Sequence, residues 1–164
     1  MIPMLTIKRL TLRAPEARDA AAYAAFYASE RSAVIGGPKD ATEAWRVLTN
    51  DVGHWHLRGY GWWALDDGDG CVGSCGFHLP EGRPEVELGW SLFRATGRGY
   101  ATEAARAALD WARGTGHAAR WGRIVSHIDR ANLPSQSVAA RLGARDTGLA
   151  PDHDSACTIW EHAA

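Results

Sequence analysis

The chain has 164 residues, of which 46% are hydrophobic and 23% are charged, and its formal net charge is −1. This composition excludes a disordered chain, and the balanced charge excludes a strongly basic protein that binds nucleic acid or an anionic membrane surface. The apolar runs fall short of the ~20 residues of a membrane-spanning helix, and Lys8 and Arg9 come too early for a signal peptide. We therefore expect a single cytoplasmic domain over residues 1–164, with neither nucleic acid nor membrane as a partner.

The first third of the chain predicts one strand and two helices. Alternating residues over 5–13 favour the strand, and Pro15 then opens a helix with an apolar stripe. Asp40 and Glu43 form a capping-box pair at the start of the second helix. The expected stripe of the first helix is Ala20, Tyr23, Ala24 and Tyr27, and the expected inner face of the second is Trp45, Leu48, Val52 and Trp55.

A hairpin is predicted next, because two strand-like segments at 62–65 and 71–78 flank the acidic, glycine-rich turn 66–70. The aromatic run 55–63 joins the second helix to this hairpin. We expect part of that run to line a ligand cleft, while at least half of its aromatic residues pack in the core.

The cysteines and histidines of this region do not predict a metal site. Cys71, Cys75 and Cys157 form no CxxC pair, which favours reduced thiols over disulfides or zinc. Cys71 and Cys75 are expected to pack on one face of a strand. His54 and His56 have no third ligand at a suitable spacing, so we interpret them as polar residues of an interface or a cleft.

The second half of the chain predicts a strand at 85–92, a helix at about 100–113, a strand at 123–128, a short helix at 132–143 and a strand at 156–161. Small residues along the longer helix would let it lie close to a sheet. They are Ala101, Ala104, Ala105, Ala108 and Ala112. This order of elements predicts an α/β fold with a mixed sheet.

The segment 96–104 joins a glycine-rich turn directly to the longer helix. Gly97 and Gly99 allow a tight turn and keep side chains away from a bound anion, while the first N–H groups of the helix point outward. The helix dipole and Arg98 add positive charge. Two glycines in a strand-to-helix loop are common, so the prediction of a phosphate site depends on the rest of the chain.

Three separated groups of residues support a family resemblance. They are Lys8-Arg9-Leu10-Thr11-Leu12-Arg13 with Asp19; Glu87-Leu88-Gly89-Trp90 followed by Gly97-Arg98-Gly99-Tyr100-Ala101-Thr102-Glu103-Ala104; and Asn132-x-x-Ser135 with Leu142-Gly143. In these residues and their order, the chain resembles the GNAT superfamily of N-acetyltransferases over nearly its whole length. It most closely resembles the branch that contains ribosomal-protein N-terminal acetyltransferases.

The resemblance implies an α/β (α+β) fold with a central mixed, mostly antiparallel sheet, splayed middle strands and helices on both faces. It implies an acyltransferase that moves the acetyl group of acetyl-CoA to a primary amine by direct attack in a ternary complex. The amine would belong to a protein N-terminus or a small molecule. The alternative is a non-catalytic acyl-CoA-binding or sensor protein of the same fold. A homodimer is possible, since dimers are common among relatives.

The resemblance also implies the residues that contact acetyl-CoA. The superfamily pattern [Gln/Arg]-x-x-Gly-x-[Gly/Ala] fits from Arg94 and again, with a changed first residue, from Thr96. We prefer the second register, which places Tyr100 at the helix start. Thr96 then replaces the Gln or Arg of the pattern, and whether Arg94 or Arg98 makes the polar contact of that side chain stays open. The strand ending at Leu92 would be bulged and splayed from the next strand. The implied cofactor-binding residues are Trp90, Ser91, Leu92, Gly97, Arg98, Gly99, Tyr100, Ala101, Thr102, Asn132 and Ser135.

Acetyl transfer requires a neutral amine and a proton for the leaving thiolate. Glu87 is the candidate base, acting directly or through water. The alternative, which has equal weight, is that Glu87 is only a carboxylate at the surface or at a sheet edge. His127 is a second candidate base, although a lone strand histidine is more often structural. Many members carry a tyrosine where this chain has Ala139. Ser135 could donate the proton instead or could cap a helix, and transfer assisted by substrate positioning is a further alternative.

Overall fold

The computed structural model describes residues 1–163, which form eight strands and five α-helices. The strands are β1 (Leu5–Thr6), β2 (Thr11–Arg13), β3 (Trp62–Asp66), β4 (Cys71–His78), β5 (Val86–Leu92), β6 (Ile124–Asp129), β7 (Arg145–Asp146) and β8 (Cys157–His162). The helices are α1 (Ala20–Tyr27), α2 (Ala41–Arg58), α3 (Tyr100–Gly114), α4 (His117–Trp121) and α5 (Leu133–Arg141), with short 3₁₀ segments at Ala17–Asp19 and Glu30–Ile35.

All strands belong to one sheet in the order β1-β2-β3-β4-β5-β6-β8-β7. Neighbouring strands are antiparallel except β5 and β6, which are parallel. The predicted mixed, mostly antiparallel sheet is therefore confirmed. Among residues 1–163, none of the helices combines the length and apolar composition that crossing a bilayer requires.

Apolar side chains pack on both faces of the sheet. The larger cluster includes Trp63, Phe77 and Leu88 and is covered by α3, whose predicted stripe of small residues is buried. The smaller cluster joins α1 and α2 to the other face through residues such as Tyr23 and Phe93. Helices on both faces are thus confirmed.

The middle strands diverge, as expected. β5 and β6 pair only at Val86–Ile124 and Glu87–Val125, although β5 continues to Leu92 and β6 to Asp129. Just beyond the last pair, the Ser126 hydroxyl donates to the Leu88 carbonyl at 2.6 Å. A side chain thus takes the place of a backbone partner there, and the strands separate after it.

The predicted bulge in β5 is wrong. The register between β4 and β5 runs without a shift from His78–Glu87 to Gly73–Leu92, so the gap arises because β6 turns away. The bulge lies instead between β3 and β4, where Val72 is the extra residue between two consecutive pairs. It reverses the alternation, so Cys71 packs in the smaller cluster and Cys75 in the larger one. The expectation that these cysteines share a face is wrong for this reason.

Other local predictions also need correction. The segment predicted as one strand forms β1 and β2, joined by a turn in which the Ile7 N–H donates to the Leu10 carbonyl. Asp40 caps α2 as expected. Trp45, which is predicted on the inner face of α2, is 47% exposed, whereas Asp51 of the same helix is buried. In the aromatic run 55–63, Trp55, Tyr60 and Trp63 are buried in the larger cluster, which confirms that at least half of its aromatic residues pack in the core.

Candidate active site

A cavity of about 1350 Å³ lies between the C-terminal part of β5 and the segment that follows β6. Its wall is formed by β5, the glycine-rich turn, α3 and α5, with further residues from the β1–β2 turn and the segment after α1. Of the residues predicted to bind acetyl-CoA, those on the wall are Trp90, Ser91, Leu92, Gly97, Arg98, Gly99, Ala101, Thr102, Asn132 and Ser135. Tyr100 differs from them, because its side chain packs in the larger core cluster.

Several residues of this wall were not among those predicted from the sequence. Arg106 and Asp110 lie on the same side of α3 as Thr102, four and eight residues further on, and helical periodicity could have identified them. Lys8 and Arg31 come from distant parts of the chain, and no local pattern points to them.

The turn before α3 has the geometry of an anion site. Gly97 and Gly99 have φ angles of 80° and 81°, in the left-handed region that favours glycine. Gly99 is the N-cap residue of α3, and no side chain of residues 1–163 caps this helix end. The first N–H groups of α3 therefore lack a side-chain partner, at the positive end of the helix dipole.

Positive charge exceeds negative charge on the cavity wall. The cations are Lys8, Arg31, Arg98, Arg106 and Arg141, and the anions are Glu103 and Asp110. The chain as a whole has a net charge of −1, so basic residues are concentrated at this cavity. This local excess favours a ligand with several negative charges.

The divergent strands leave backbone groups free beside the cavity. The Leu88 carbonyl points towards β6, since it accepts from Ser126. Alternate residues of a strand direct their backbone groups to the same neighbour, so the N–H and carbonyl of Trp90 also point into the gap, where pairing with β6 has ended. An extended polar ligand can bind to such an edge.

Glu87 and His127 lie together at the closed end of this gap, and neither is on the wall of the cavity. Glu87 belongs to the last pair of β5 and β6, and its Oε2 is 3.5 Å from His127 Nδ1. Burial raises the pKa of Glu87 to about 7, against the opposing effects of a hydrogen bond from the His127 backbone and the charge of Arg83. Burial lowers the pKa of His127 to about 4, so this imidazole is neutral at pH 7.

Asn132 and Ser135 have distinct positions at the start of α5. Asn132 is the N-cap residue, and its Oδ1 accepts from the Ser135 N–H at 3.2 Å. Ser135 therefore is not the cap, which corrects that alternative, and its hydroxyl has no hydrogen-bond partner among residues 1–163. Ala139 is fully buried in the same helix, so the position where many relatives have a tyrosine faces the protein interior.

His54 has a structural role. Its Nδ1 is 2.6 Å from the Tyr60 carbonyl, and its Nε2 accepts from the Leu79 N–H at 3.0 Å. Both ring nitrogens are thus occupied by backbone groups. In the part of the chain that the structure describes, no group of three or more acidic, histidine or cysteine side chains has the arrangement of a metal site.

Known proteins resemble this chain in sequence and in fold. A family model described as an acetyltransferase (GNAT) domain matches residues 9–145. A crystal structure of an acetyltransferase from Agrobacterium tumefaciens is 38% identical, with coverage of 100% of this chain and 96% of that chain and a TM-score of 0.91. No curated protein sequence gives a significant match.

More distant structures share the fold. An acetyltransferase of the GNAT family from Bacillus anthracis is 21% identical, with coverage of 97% of this chain and 96% of that chain and a TM-score of 0.77. The ribosomal-protein-S5-alanine acetyltransferase from Vibrio fischeri is 18% identical, with coverage of 98% and 95% and a TM-score of 0.73. Because the family model spans most of the chain, this protein belongs to the GNAT acetyltransferase family and is an acetyl-CoA-dependent acyltransferase.

Proposed function

We propose that this protein is an N-acetyltransferase that moves the acetyl group of acetyl-CoA to a primary amine by direct attack in a ternary complex. The observation that carries the proposal is the cavity between the diverging strands, which extends from the uncapped start of α3 along β5 to α5. The acceptor is a protein N-terminus or a small-molecule amine. The fold shared with the S5-alanine acetyltransferase supports the first class.

Acetyl-CoA would bind with its diphosphate on the N–H groups of residues 97–102, beside the Arg98 guanidinium. This assignment uses the register that begins at Thr96, in which Gly99 and Ala101 stand at the start of α3. The pantetheine arm would lie along Trp90, Ser91 and Leu92 and pair with the backbone of Trp90, because Ser91 pairs with β4 and the Leu92 carbonyl already accepts from Arg31. From the start of α5, the Nδ2 of Asn132 and the hydroxyl of Ser135 would reach the cofactor. Asn132 would use its Nδ2, because its Oδ1 already accepts from the Ser135 N–H as the helix cap.

Glu87 would accept the proton of the attacking amine. Its raised pKa of about 7 suits a base near neutral pH, since a base is most effective when its pKa is close to the working pH. The carboxylate does not line the cavity, so we propose that it acts through water. His127, whose Nδ1 lies 3.5 Å from Glu87 Oε2, would stay beside the carboxylate rather than act as the base, because its pKa of about 4 leaves it a weak base.

Ser135 would return a proton to the leaving thiolate. Its hydroxyl lies on the cavity wall and is free of other partners in the described residues, whereas Ala139 supplies no donor. Positioning of the two substrates would supply much of the remaining rate.

The proposal is tested by measuring thiol release from acetyl-CoA with a panel of acceptors. The panel would contain peptides that differ in their first residue, the same peptides with blocked N-termini, polyamines and aminoglycoside-type amines. We expect at least one free amine to give turnover with intersecting initial-velocity lines, since both substrates bind before transfer. Parallel lines would show a covalent intermediate, and turnover only with hydroxyl or thiol acceptors would exclude amine transfer.

Two properties of the whole chain are also proposals. We propose that residues 1–164 act as one domain in the cytoplasm, which suits three unpaired cysteines. A homodimer is the proposed assembly, and light scattering with size-exclusion chromatography would give its mass.

A further inference from the structure

Arg9 connects the β1–β2 turn to the glycine-rich turn before α3. Its Nη1 donates to the Arg98 carbonyl at 2.8 Å, and its Nε donates to Glu103 Oε2 at 2.8 Å. Its backbone N–H donates to Glu103 Oε1 at 3.0 Å. The guanidinium carbon also lies 4.9 Å from the centre of the Tyr100 ring. One residue thus contacts the turn and the first helical turn of α3 together.

The glycine-rich turn has little other support. In residues 1–163, no further hydrogen bond reaches residues 96–99 from outside this turn and α3. Gly97 and Gly99 both have left-handed φ angles, and glycine leaves the backbone many alternative conformations. The position of the Arg98 carbonyl, and with it the direction of the nearby N–H groups, therefore depends on Arg9.

The same contacts neutralise an unfavourable charge. Glu103 lies in the first turn of α3 and on the wall of the cavity, where a bound diphosphate would approach. A free carboxylate there would repel that anion and compete for the helix end. Arg9 contacts both carboxylate oxygens, with its Nη2 2.7 Å from Oε2. Arg9 itself is not on the cavity wall, so its effect on a ligand passes through Glu103 and Arg98.

We propose that Arg9 is a positioning residue for the acyl donor: it holds the glycine-rich turn in the conformation that receives the diphosphate and neutralises Glu103 beside it. This inference rests on the proposed binding of the diphosphate at residues 97–102. It assigns a part in donor selection to the β1–β2 turn, although that turn precedes the glycine-rich turn by about 90 residues in the chain.

The test compares acetyl-CoA with S-acetylpantetheine, which carries the same thioester but no diphosphate. For Arg9→Ala we expect kcat/KM with acetyl-CoA to fall about tenfold through a higher KM, with kcat nearly unchanged. With S-acetylpantetheine, kcat/KM should stay at the wild-type value, because this donor makes no use of the turn. An equal loss with both donors would indicate general structural damage and would overturn the proposal.

Arg9→Lys separates charge from geometry. A lysine keeps the positive charge but has a single ammonium group, which cannot reach the Arg98 carbonyl and both Glu103 oxygens together. We expect its KM for acetyl-CoA to rise nearly as much as that of Arg9→Ala. A wild-type KM in Arg9→Lys would contradict the positioning role.

Arg18→Ala is the matched control. Arg18 forms an ion pair with Glu16 at 2.8 Å, but 64% of its side chain is exposed and it lies outside the cavity wall. This variant should match the wild type with both donors. The underlying assignment has its own test in the wild-type enzyme: if it uses both donors equally well, the diphosphate does not bind at the turn and the role of Arg9 fails with it. A wild-type preference for acetyl-CoA that Arg9→Ala retains in full would overturn the Arg9 proposal alone.

Discussion

Glu87 is the carboxylate on which the proposed proton transfer depends, and its surroundings determine the pH at which it ionises. It lies where β5 and β6 separate, with a neighbouring strand on each side, and 32% of its side chain is exposed. Burial raises its pKa to about 7, because the charged form loses hydration. The carboxylate, which is the basic form, is therefore half populated near neutral pH.

Glu87→Gln should remove one ionisation from the pH profile. In the wild type, kcat/KM should rise with pH through about 7 as Glu87 loses its proton, and again as the amine of the acceptor loses its own. The variant should lack the first rise and be slower by roughly 100-fold at pH 8. Initial rates between pH 5.5 and 9 measure both effects.

Glu81→Gln provides the control, since the Glu81 side chain is 98% exposed and its partner is Arg58. It should keep the wild-type profile. If Glu87→Gln also keeps that profile and rate while its melting temperature is unchanged, Glu87 is not the base.

Elements with strong local patterns could be predicted from the sequence. The cap at Asp40 and the alanine stripe of α3 each depend on residues a few positions apart, and both are present. The glycine-rich turn is also local, and its positive φ angles agree with the prediction. Residues such as Gly97 show their conformational role through their type alone.

The failed predictions concern features that depend on distant contacts. Apolar residues alternate on both sides of Lys8, and the β1–β2 turn contains no glycine or proline. The sequence therefore does not mark this turn. β4 is buried on both faces, and its sequence does not reveal which residue is the extra one at the bulge. Nor could the pattern show that Glu87 lies outside the cavity wall, because this depends on where β6 leaves β5.

Gly97→Ala tests the turn as an element. An alanine in the left-handed region costs about 1 kcal/mol of stability, or the turn rearranges to relieve the strain. A rearranged turn would misdirect the N–H groups at the start of α3, so we expect the KM for acetyl-CoA to rise about tenfold with a small change in kcat. Steady-state kinetics and thermal unfolding would be measured on the same samples.

Gly82→Ala is matched in conformation but not in position. Gly82 has a φ of 83°, an added Cβ would meet no atom within 4 Å, and the residue lies outside the cavity wall. The Cβ of Gly97→Ala would likewise meet no atom within 4 Å. Both variants should lose similar stability, and Gly82→Ala should keep the wild-type KM. Equal KM values in the two variants would exclude the turn as the diphosphate site.

At the scale of the whole molecule, two sets of buried ionisable groups change the free energy of unfolding in opposite directions as the pH rises. Burial lowers the pKa of His78, His127 and His162 to about 4, so the unfolded chain binds more protons than the folded one between pH 4 and 6.5, and stability rises with pH there. Burial raises the pKa of Asp51 and Glu87 to about 7. These carboxyl groups make stability fall with pH between about 4 and 7.

Asp51→Asn isolates one of these contributions. Asp51 is 4% exposed and accepts from the Tyr23 hydroxyl at 2.9 Å, and an asparagine oxygen can accept the same bond. The folded wild type holds a proton on Asp51 up to about pH 7, whereas the unfolded chain releases it near pH 4. The variant should therefore gain stability over the wild type by at most about 1.4 kcal/mol for each pH unit between 4 and 7, and the gain should stay constant above pH 8.

Urea unfolding at pH 5, 6, 7 and 8 measures the difference in the free energy of unfolding. The control is Asp69→Asn, at an exposed turn position, which should show no such difference. A difference that does not change with pH would mean that Asp51 is ionised in the folded protein throughout this range.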